Sequence, residues 1–446
     1  MTRVLAVDLG ATSVRVAVVE LDTATPAVEV VHRWHHSPFN AADGTLRWDW
    51  PRIVSEVEKG LALGIAEGPV ASIGVDGWGV DYGLIDGAGD LVSLPFSYRD
   101  GRTKNWLTTA DRIGVDRLYQ ITGVQLLSFN TIFQLAVHHP AEMQQARRIL
   151  LLPDLLVRHL GGMEWAERSN ASTTSLLDAR TGDWSTELIE ELSMTRSLFP
   201  PMHRATEAAG QWRRIPLHLV GSHDTASAFF GMPGGLSAGT VFVSTGTWVI
   251  VGVERSEVDT SETARRLNFS NEAGALGGFR FLRNVVGFWL LERCRIDWGS
   301  PPLHLLMDEA ATVTESVPLF DAADERFLNP AHMVNEVLAA TGLTAKTRRN
   351  VIVRSVLESI VEGIARVIED IRRITGSNPS QVALVGGASL APIIPELVSL
   401  RTGLPVIKGS SEATALGNAI VQGIALGHFA DAKQARSWLD LTGQRV

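Results

Sequence analysis

Two stretches of this chain read as strand, glycine turn, strand, and about half of its 446 residues lie between them. The first runs from the apolar Val4-Leu5-Ala6-Val7 through Asp8-Leu9-Gly10-Ala11-Thr12-Ser13 into Val14-Arg15-Val16-Ala17-Val18-Val19. The second runs from Val241-Phe242-Val243 through Ser244-Thr245-Gly246-Thr247 into Trp248-Val249-Ile250-Val251. Apolar, β-branched runs joined by a short polar glycine turn predict β-hairpins. A separation this long excludes a solenoid, whose period is roughly 20–50 residues. It predicts instead two related domains, each opening on a hairpin. The Gly-rich stretch Gly234 to Gly239 precedes the second hairpin and sets the boundary between 1–236 and 237–446.

The second half carries the clearest helix. Val353, Val356, Leu357, Ile360, Ile364, Val367, Ile368 and Ile371 fall on one face at helical spacing, with Gly376 as the stop. A buried strand follows, Val382 to Val385, then Gly386-Gly387 and another apolar stretch. Strand, glycine turn and helix in that order predict an α/β fold. Residues from about 300 to 345 show no motif.

A turn that holds phosphate needs converging N–H groups and no side chain in the way. Asp8 to Ser13 and Ser244 to Thr247 both offer this, with hydroxyls beside the glycine. Asp8 adds a carboxylate where Mg²⁺ would sit among the phosphates. One such turn is more often an ordinary hairpin, but two, each opening half the chain, point to a nucleotide. Val385-Gly386-Gly387-Ala388-Ser389-Leu390 extends the set, because a Gly pair lets backbone lie flat against a base or ribose.

Two further segments bring acids together with sugar-binding chemistry. Ser222-His223-Asp224-Thr225 precedes small residues suited to a packed helix. There Asp224 is equally a helix N-cap or the acceptor of a proton from a substrate hydroxyl. Gly74 to Asp86 packs Asp76, Trp78, Gly79, Asp81 and Tyr82 into one stretch. Carboxylates bond sugar hydroxyls and Trp covers apolar sugar faces, whereas the alternative is a strand hairpin around a core Trp.

Composition narrows the partners. The net charge of −9, with no block of Lys or Arg, argues against nucleic acid. No segment approaches the roughly 20 apolar residues of a membrane span. The single cysteine, Cys294, rules out an intrachain disulfide and suits a reducing compartment. The expectation is a cytoplasmic protein, monomer or homodimer, with small-molecule partners.

The order Asp8 to Arg15, Gly74 to Tyr82, Ser222 to Ala228, Ser244 to Trp248 and Val385 to Ser389 resembles the FGGY carbohydrate kinases. Further matches, such as Leu94 to Thr103, Glu164 to Thr174, Asn284 to Cys294 and Glu412 to Asn418, carry the likeness along nearly the whole chain. The resemblance implies two ribonuclease-H-like domains of the actin, hexokinase and Hsp70 ATPase type, flanking a deep cleft. It implies ATP and Mg²⁺ as cofactors and a ketose as substrate.

By the same resemblance, Ala11, Thr12, Ser13, Val14 and Arg15 line the ATP phosphates, and Asp8 places the metal. Gly246, Thr247, Glu292, Gly386, Gly387 and Ala388 serve the nucleotide from the second domain. Trp78, Gly79, Asp81, His223, Asp224, Thr225 and Asn284 serve the ketose, with Asp224 as proton acceptor. Val14, Glu292 and Ala388 depart from the usual Gly, Gln and Gly of the family. The likeness is strongest to members acting on L-rhamnulose, with L-fuculose, L-ribulose or xylulose as alternatives. A non-enzymatic actin-like ATPase is the alternative of another class.

Overall fold

The computed structural model describes residues 2–232, 239–246, 248–327, 330–440 and 444–445. The chain divides into two compact units. The first holds Met1–Met232, Glu254–Phe281 and Glu412–Leu441, and the second holds Pro233–Val253, Leu282–Ser411 and Thr442–Val446. The units therefore interleave along the sequence and do not follow a single cut at 236/237. Among the described residues, no helix is long and apolar enough to cross a membrane.

The first unit is built on a six-stranded sheet. Its strands are β1 (Arg3–Gly10), β2 (Ser13–Glu20), β3 (Ala27–His35), β4 (Ser72–Gly77), β5 (Ala208–Trp212) and β6 (Ile215–His218), in the order β5-β6-β4-β1-β2-β3. β1 and β2 pair antiparallel around the Gly10 turn, and β4 runs parallel to β1 with Asp76 beside Asp8. Val4, Leu5, Ala6, Val7 and Leu9 are all buried, as expected of a central strand covered on both faces.

Three helices of this unit matter for the site. Helix α1 (Trp50–Ala66) starts on Asp49, whose carboxylate accepts from Arg52 N, and has Pro51 in its first turn. It buries Ile53, Val57 and Leu61 in the same core as β1 and β2, each contributing about 1.5–3 kcal/mol of transfer free energy.

Helix α2 (Asp224–Phe230) and helix α3 (Ala413–Ala425) cross at backbone contact. A Cβ on Gly417 would lie 1.8 Å from Ser227 O, and one on Gly231 would lie 2.0 Å from Ala413 O. Only glycine fits at these two positions. This packing is the physical reason that α3, near the end of the sequence, belongs to the first unit. α3 also reaches the sheet through polar groups, with Gln422 Nε2 donating to Leu5 O at 3.0 Å.

The second unit repeats the strand pattern. β7 (Thr240–Thr245) and β8 (Trp248–Arg255) form an antiparallel hairpin, β9 (Gln381–Val385) lies parallel to β7, and β10 (Val406–Lys408) lies parallel to β9. A hairpin followed by a parallel strand beside its first member thus occurs in both units. The helix Arg349–Thr375 ends on Gly376 at φ 66° and buries the apolar stripe from Val353 to Ile371.

Candidate active site

The end of β1 gathers charge. Strand register sets Asp8 beside Asp76 of β4 on one side and Arg15 of β2 on the other. Arg15 pairs with Asp8 Oδ2 and, at 3.3 Å, with Glu412 Oε2, while Arg33 Nη2 reaches Glu412 Oε1 at 3.0 Å. Asn418 of α3 donates to Asp76 Oδ2 at 2.6 Å. Asp8 Oδ1 and Asp76 Oδ1 are buried without a hydrogen-bond partner among the described residues.

Burial pushes the Asp8 carboxyl up to about 6 against the pull of Arg15, and the negative charge of Asp224 adds to the rise. Asp76 is raised well above the usual carboxylate range by burial and by Asp8. A buried carboxylate with a spare oxygen gains from a cation. Asp8 thus fits the role expected of it toward Mg²⁺, although the described residues contain no cluster of three or more metal-ligating side chains.

The Gly10 turn is held from behind by His36. Its N–H donates to Thr12 O at 3.0 Å and its Nε2 lies 2.9 Å from Gly10 O. The ring stacks on Trp34 at 5.3 Å. Ala11 and Thr12 sit at the accessible tip, while the Ser13 side chain is buried. Val14 is fully buried in the core of the sheet. Its side chain is therefore structural, and its backbone is paired in the sheet between β1 and β3.

Asp81 corrects the sequence expectation. It is fully buried, and donors surround both oxygens. Oδ2 accepts from Trp48 Nε1 at 2.7 Å, Trp78 Nε1 at 2.9 Å and Tyr98 N at 3.1 Å, and Oδ1 accepts from Gln134 Nε2 at 3.2 Å. Burial raises its carboxyl to about 6 despite these donors. With its acceptor sites taken inside the protein, Asp81 is a brace and not a sugar ligand. Trp78 is 5% exposed and packs against Trp48 at 4.6 Å, so it too is a core residue.

What this brace holds is the backbone at Gly79 and Val80. Val80 has φ 68°, a costly value for a β-branched residue. Its carbonyl accepts from Thr131 Oγ1 at 2.8 Å and Gln134 Nε2 at 3.2 Å, and its N–H donates to Thr173 Oγ1 at 3.3 Å. Strain held by such a bonded cage is common where backbone contacts a ligand.

Asp224 has different surroundings. His223 occupies the cap position of α2, so Asp224 is the first helical residue and not the N-cap. Its side chain is 30% exposed. Thr225 Oγ1 donates to its Oδ1 at 3.1 Å, and His223 Nε2 stands 3.5 Å from the same oxygen.

The segment before it is strapped down. Glu167 Oε2 accepts from Ser222 N and Ser222 Oγ, both at 2.9 Å, and from Ser169 N at 2.9 Å. Gly77 N donates to Ser222 O at 3.0 Å, tying this segment to the end of β4. Behind His223 lie Glu272 and Arg280, neither of which drew notice in the sequence; both sit in irregularly patterned stretches with no motif spacing.

In the second unit, Gly386 has φ 94°, and a Cβ there would lie 2.4 Å from Thr245 O. Thr245 Oγ1 donates to Val385 O at 2.6 Å and accepts from Ser389 N at 3.2 Å. The Gly386-Gly387-Ala388 turn is thus fastened to the end of β7, next to Gly246 at the hairpin tip. Thr247 lies outside the described residues. Asn284 stands on the strand Phe279–Val286. Glu292 lies on the helix Trp289–Asp297, where both its oxygens pair with Arg295 at 2.7 Å, which offsets the charge of this unusual residue.

Comparisons with known proteins agree along the whole chain. Residues 3–229 match the N-terminal domain, and residues 241–426 the C-terminal domain, of the FGGY family of carbohydrate kinases. A rhamnulokinase from Enterococcus faecalis is 35% identical, covering 97% of this chain and 91% of that protein. One from Bacteroides thetaiotaomicron is 33% identical, covering 97% and 92%. A xylulose kinase structure from Lactobacillus acidophilus superimposes with TM-score 0.83 at 14% identity, covering 100% and 93%. A Plasmodium falciparum glycerol kinase with ADP gives 0.79 at 17% identity, covering 99% and 92%. At such identities the structural likeness speaks for the fold alone.

Proposed function

Because the chain belongs to the FGGY family of carbohydrate kinases, we propose that it transfers the γ-phosphoryl group of ATP to the 1-hydroxyl of L-rhamnulose. The products are L-rhamnulose 1-phosphate and ADP. The choice of sugar rests on the rhamnulokinases at 33–35% identity over nearly the full chain. The observation that carries the chemistry is Asp224: a 30% exposed carboxylate whose one protein hydrogen bond shown is from the neighbouring Thr225 hydroxyl.

Asp224 orients the hydroxyl and accepts its proton as the oxygen bonds to the γ-phosphorus and the bond to the ADP oxygen breaks. The transition state of such transfers is loose, so positioning outweighs base strength. His223, Thr225, Asn284 and the Gly79 backbone hold the ketose. The turn from Ala11 to Arg15 meets phosphate oxygens, with Gly246, Thr247, Gly386, Gly387, Ala388 and Glu292 serving the nucleotide. Asp8 holds Mg²⁺, which when bound supplies positive charge against the phosphate oxygens. A cytoplasmic enzyme is in keeping with the single cysteine, Cys294, buried and free, and a monomer or homodimer is expected.

The test is ADP release with Mg-ATP and a panel of L-rhamnulose, L-fuculose, L-ribulose, D-xylulose, D-fructose and glycerol. Strong preference for L-rhamnulose is expected. Preference for another ketose would discard the sugar and keep the chemistry, and ATP turnover indifferent to every sugar would discard both.

A further inference from the structure

Arg280 is 1% exposed, and a guanidinium carries five N–H donors, no acceptor, and keeps its charge at every relevant pH. Its donors are therefore fixed points in the network around His223. Nε and Nη2 both donate to Ala273 O at 3.2 Å, and Nη2 also donates to His223 Nδ1 at 3.2 Å. Glu272 Oε2 lies 3.2 Å from Arg280 Nη2 and 3.3 Å from His223 Nδ1, yet it takes no hydrogen bond from either. Glu272 Oε1 accepts instead from Ser270 Oγ at 3.2 Å. Glu272 thus offsets the buried charge of Arg280, while the lone pair of Nδ1 is what faces the guanidinium.

A neutral imidazole carries one N–H, so a ring that accepts at Nδ1 donates at Nε2. Nε2 is the nitrogen that faces Asp224 Oδ1, at 3.5 Å. That gap is too long for a good direct bond and is one that a substrate oxygen beside both groups would use.

We propose that Arg280 is a positioning residue for His223: by capping Nδ1 it keeps the ring proton on Nε2, making His223 a hydrogen-bond donor to the ketose and leaving Asp224 as the sole proton acceptor of the pair. The inference rests on reading His223 and Asp224 as the ketose-facing pair. It reverses the polarity of a Ser-His-Asp triad, where a carboxylate behind the ring takes the Nδ1 proton and makes Nε2 the base. Here a carboxylate, Glu272, also stands behind the ring, but the hydrogen bond at Nδ1 comes from the Arg280 guanidinium, and the imidazole serves substrate binding and not proton removal.

The direct test is a multiple-bond ¹⁵N–¹H spectrum of the full-length protein labelled with ¹⁵N-histidine, the His223 signals being those lost in His223→Gln. The proposal expects a protonated Nε2 and a bare Nδ1 at neutral pH, and a protonated Nδ1 would refute it. Because this reading uses the wild-type protein, it stands even where a substitution of buried Arg280 prevents folding. In folded Arg280→Lys, which keeps the charge and loses the fork, KM for the ketose should rise about tenfold with KM for ATP unchanged. An unchanged ketose KM there would also count against the proposal. Sugar-dependent turnover that is lost in Asp224→Asn, together with a protonated Nδ1, would remove this inference and leave the proposed function standing. Absence of sugar-dependent turnover would remove that function whatever the spectrum shows.

Discussion

Asp81 and Asp224 are carboxylates of the same unit, one a few residues beyond β4 and the other at the start of a helix whose preceding segment is tied to that strand. Asp81 is closed in by Trp48, Trp78, Tyr98 and Gln134, four donors from separate parts of the chain. Among the described residues Asp224 takes one hydroxyl donor, from its own neighbour Thr225, and its side chain is 30% exposed. Residue type is the same in both, and the number of lone pairs already taken decides the job. A saturated acid fixes backbone, here the strained Gly79-Val80 turn, whereas an acid with spare acceptors is the one proposed to meet the substrate.

Four perturbations probe that contrast. The largest effect should follow Asp81→Ala, which strands buried N–H groups of Trp48, Trp78 and Tyr98. Unfolding free energy should fall by about 3–5 kcal/mol. Denaturant titration checks this, and a loss below about 1 kcal/mol would mean that Asp81 is not the brace described.

Gly417→Ala comes next, because its methyl would fall inside the contact with Ser227 O. It should cost about 3 kcal/mol and also lower turnover, since α2 carries Asp224 and must move to make room. A variant that loses stability with turnover unchanged would separate the helix crossing from the site.

The third concerns pH and the buried flank of the Asp81 region. Burial pulls His138 down to about 4, while its ring bonds Tyr82 Oη at 2.7 Å and Glu142 Oε2 at 2.8 Å. A folded value below the unfolded one, roughly 6.5, means the folded protein binds fewer protons. The associated stability is present above pH ~6.5 and is lost as pH falls toward ~4, by about 3 kcal/mol. Thermal melts across that window should show a shallower acid limb in His138→Gln than in the wild type, and identical limbs would contradict the assignment.

The smallest effect should be Thr225→Val. It removes the one hydroxyl bonded to Asp224, and kcat should drop about threefold to tenfold, since one hydrogen bond is worth about 1 kcal/mol. Initial rates at saturating substrates measure it, with no change in melting temperature expected.

Much of the architecture was legible in the sequence. The hairpins at Gly10 and Gly246 follow from β-branched runs around a polar turn, and the helix ending at Gly376 follows from its stripe. It starts at Arg349 and not Val353: Arg349 and Asn350 give no apolar signal, and the buried face begins at Ile352. Two nine-residue helices, Leu303–Ala311 and Met333–Thr341, occupy the stretch that showed no motif, since so few turns give little periodicity.

The return of α3 to the first unit was not legible. Ala415, Leu416, Gly417, Asn418, Ala419, Ile420, Val421, Gln422 and Gly423 are all buried, so the helix has no polar face to betray it. Within the site, Asp8, Asp224 and the glycine turns stood out because each sits in a compact local motif. The supporting groups did not, because Trp48, Gln134, Glu167, Glu272, Arg280 and Asn418 reach their partners only through the fold. The same blindness made Asp81 look like a sugar ligand: three of its four donors, Trp48, Tyr98 and Gln134, lie outside that segment of thirteen residues.

The central claim is that Asp224 accepts the substrate proton. Turnover of Asp224→Asn with saturating Mg-ATP and L-rhamnulose, measured beside its melting temperature, tests this most directly. The account predicts a fall of about 10² or more in kcat with the fold intact, because the shape is kept and the proton acceptor is lost. Near-normal turnover in a folded Asp224→Asn would contradict it.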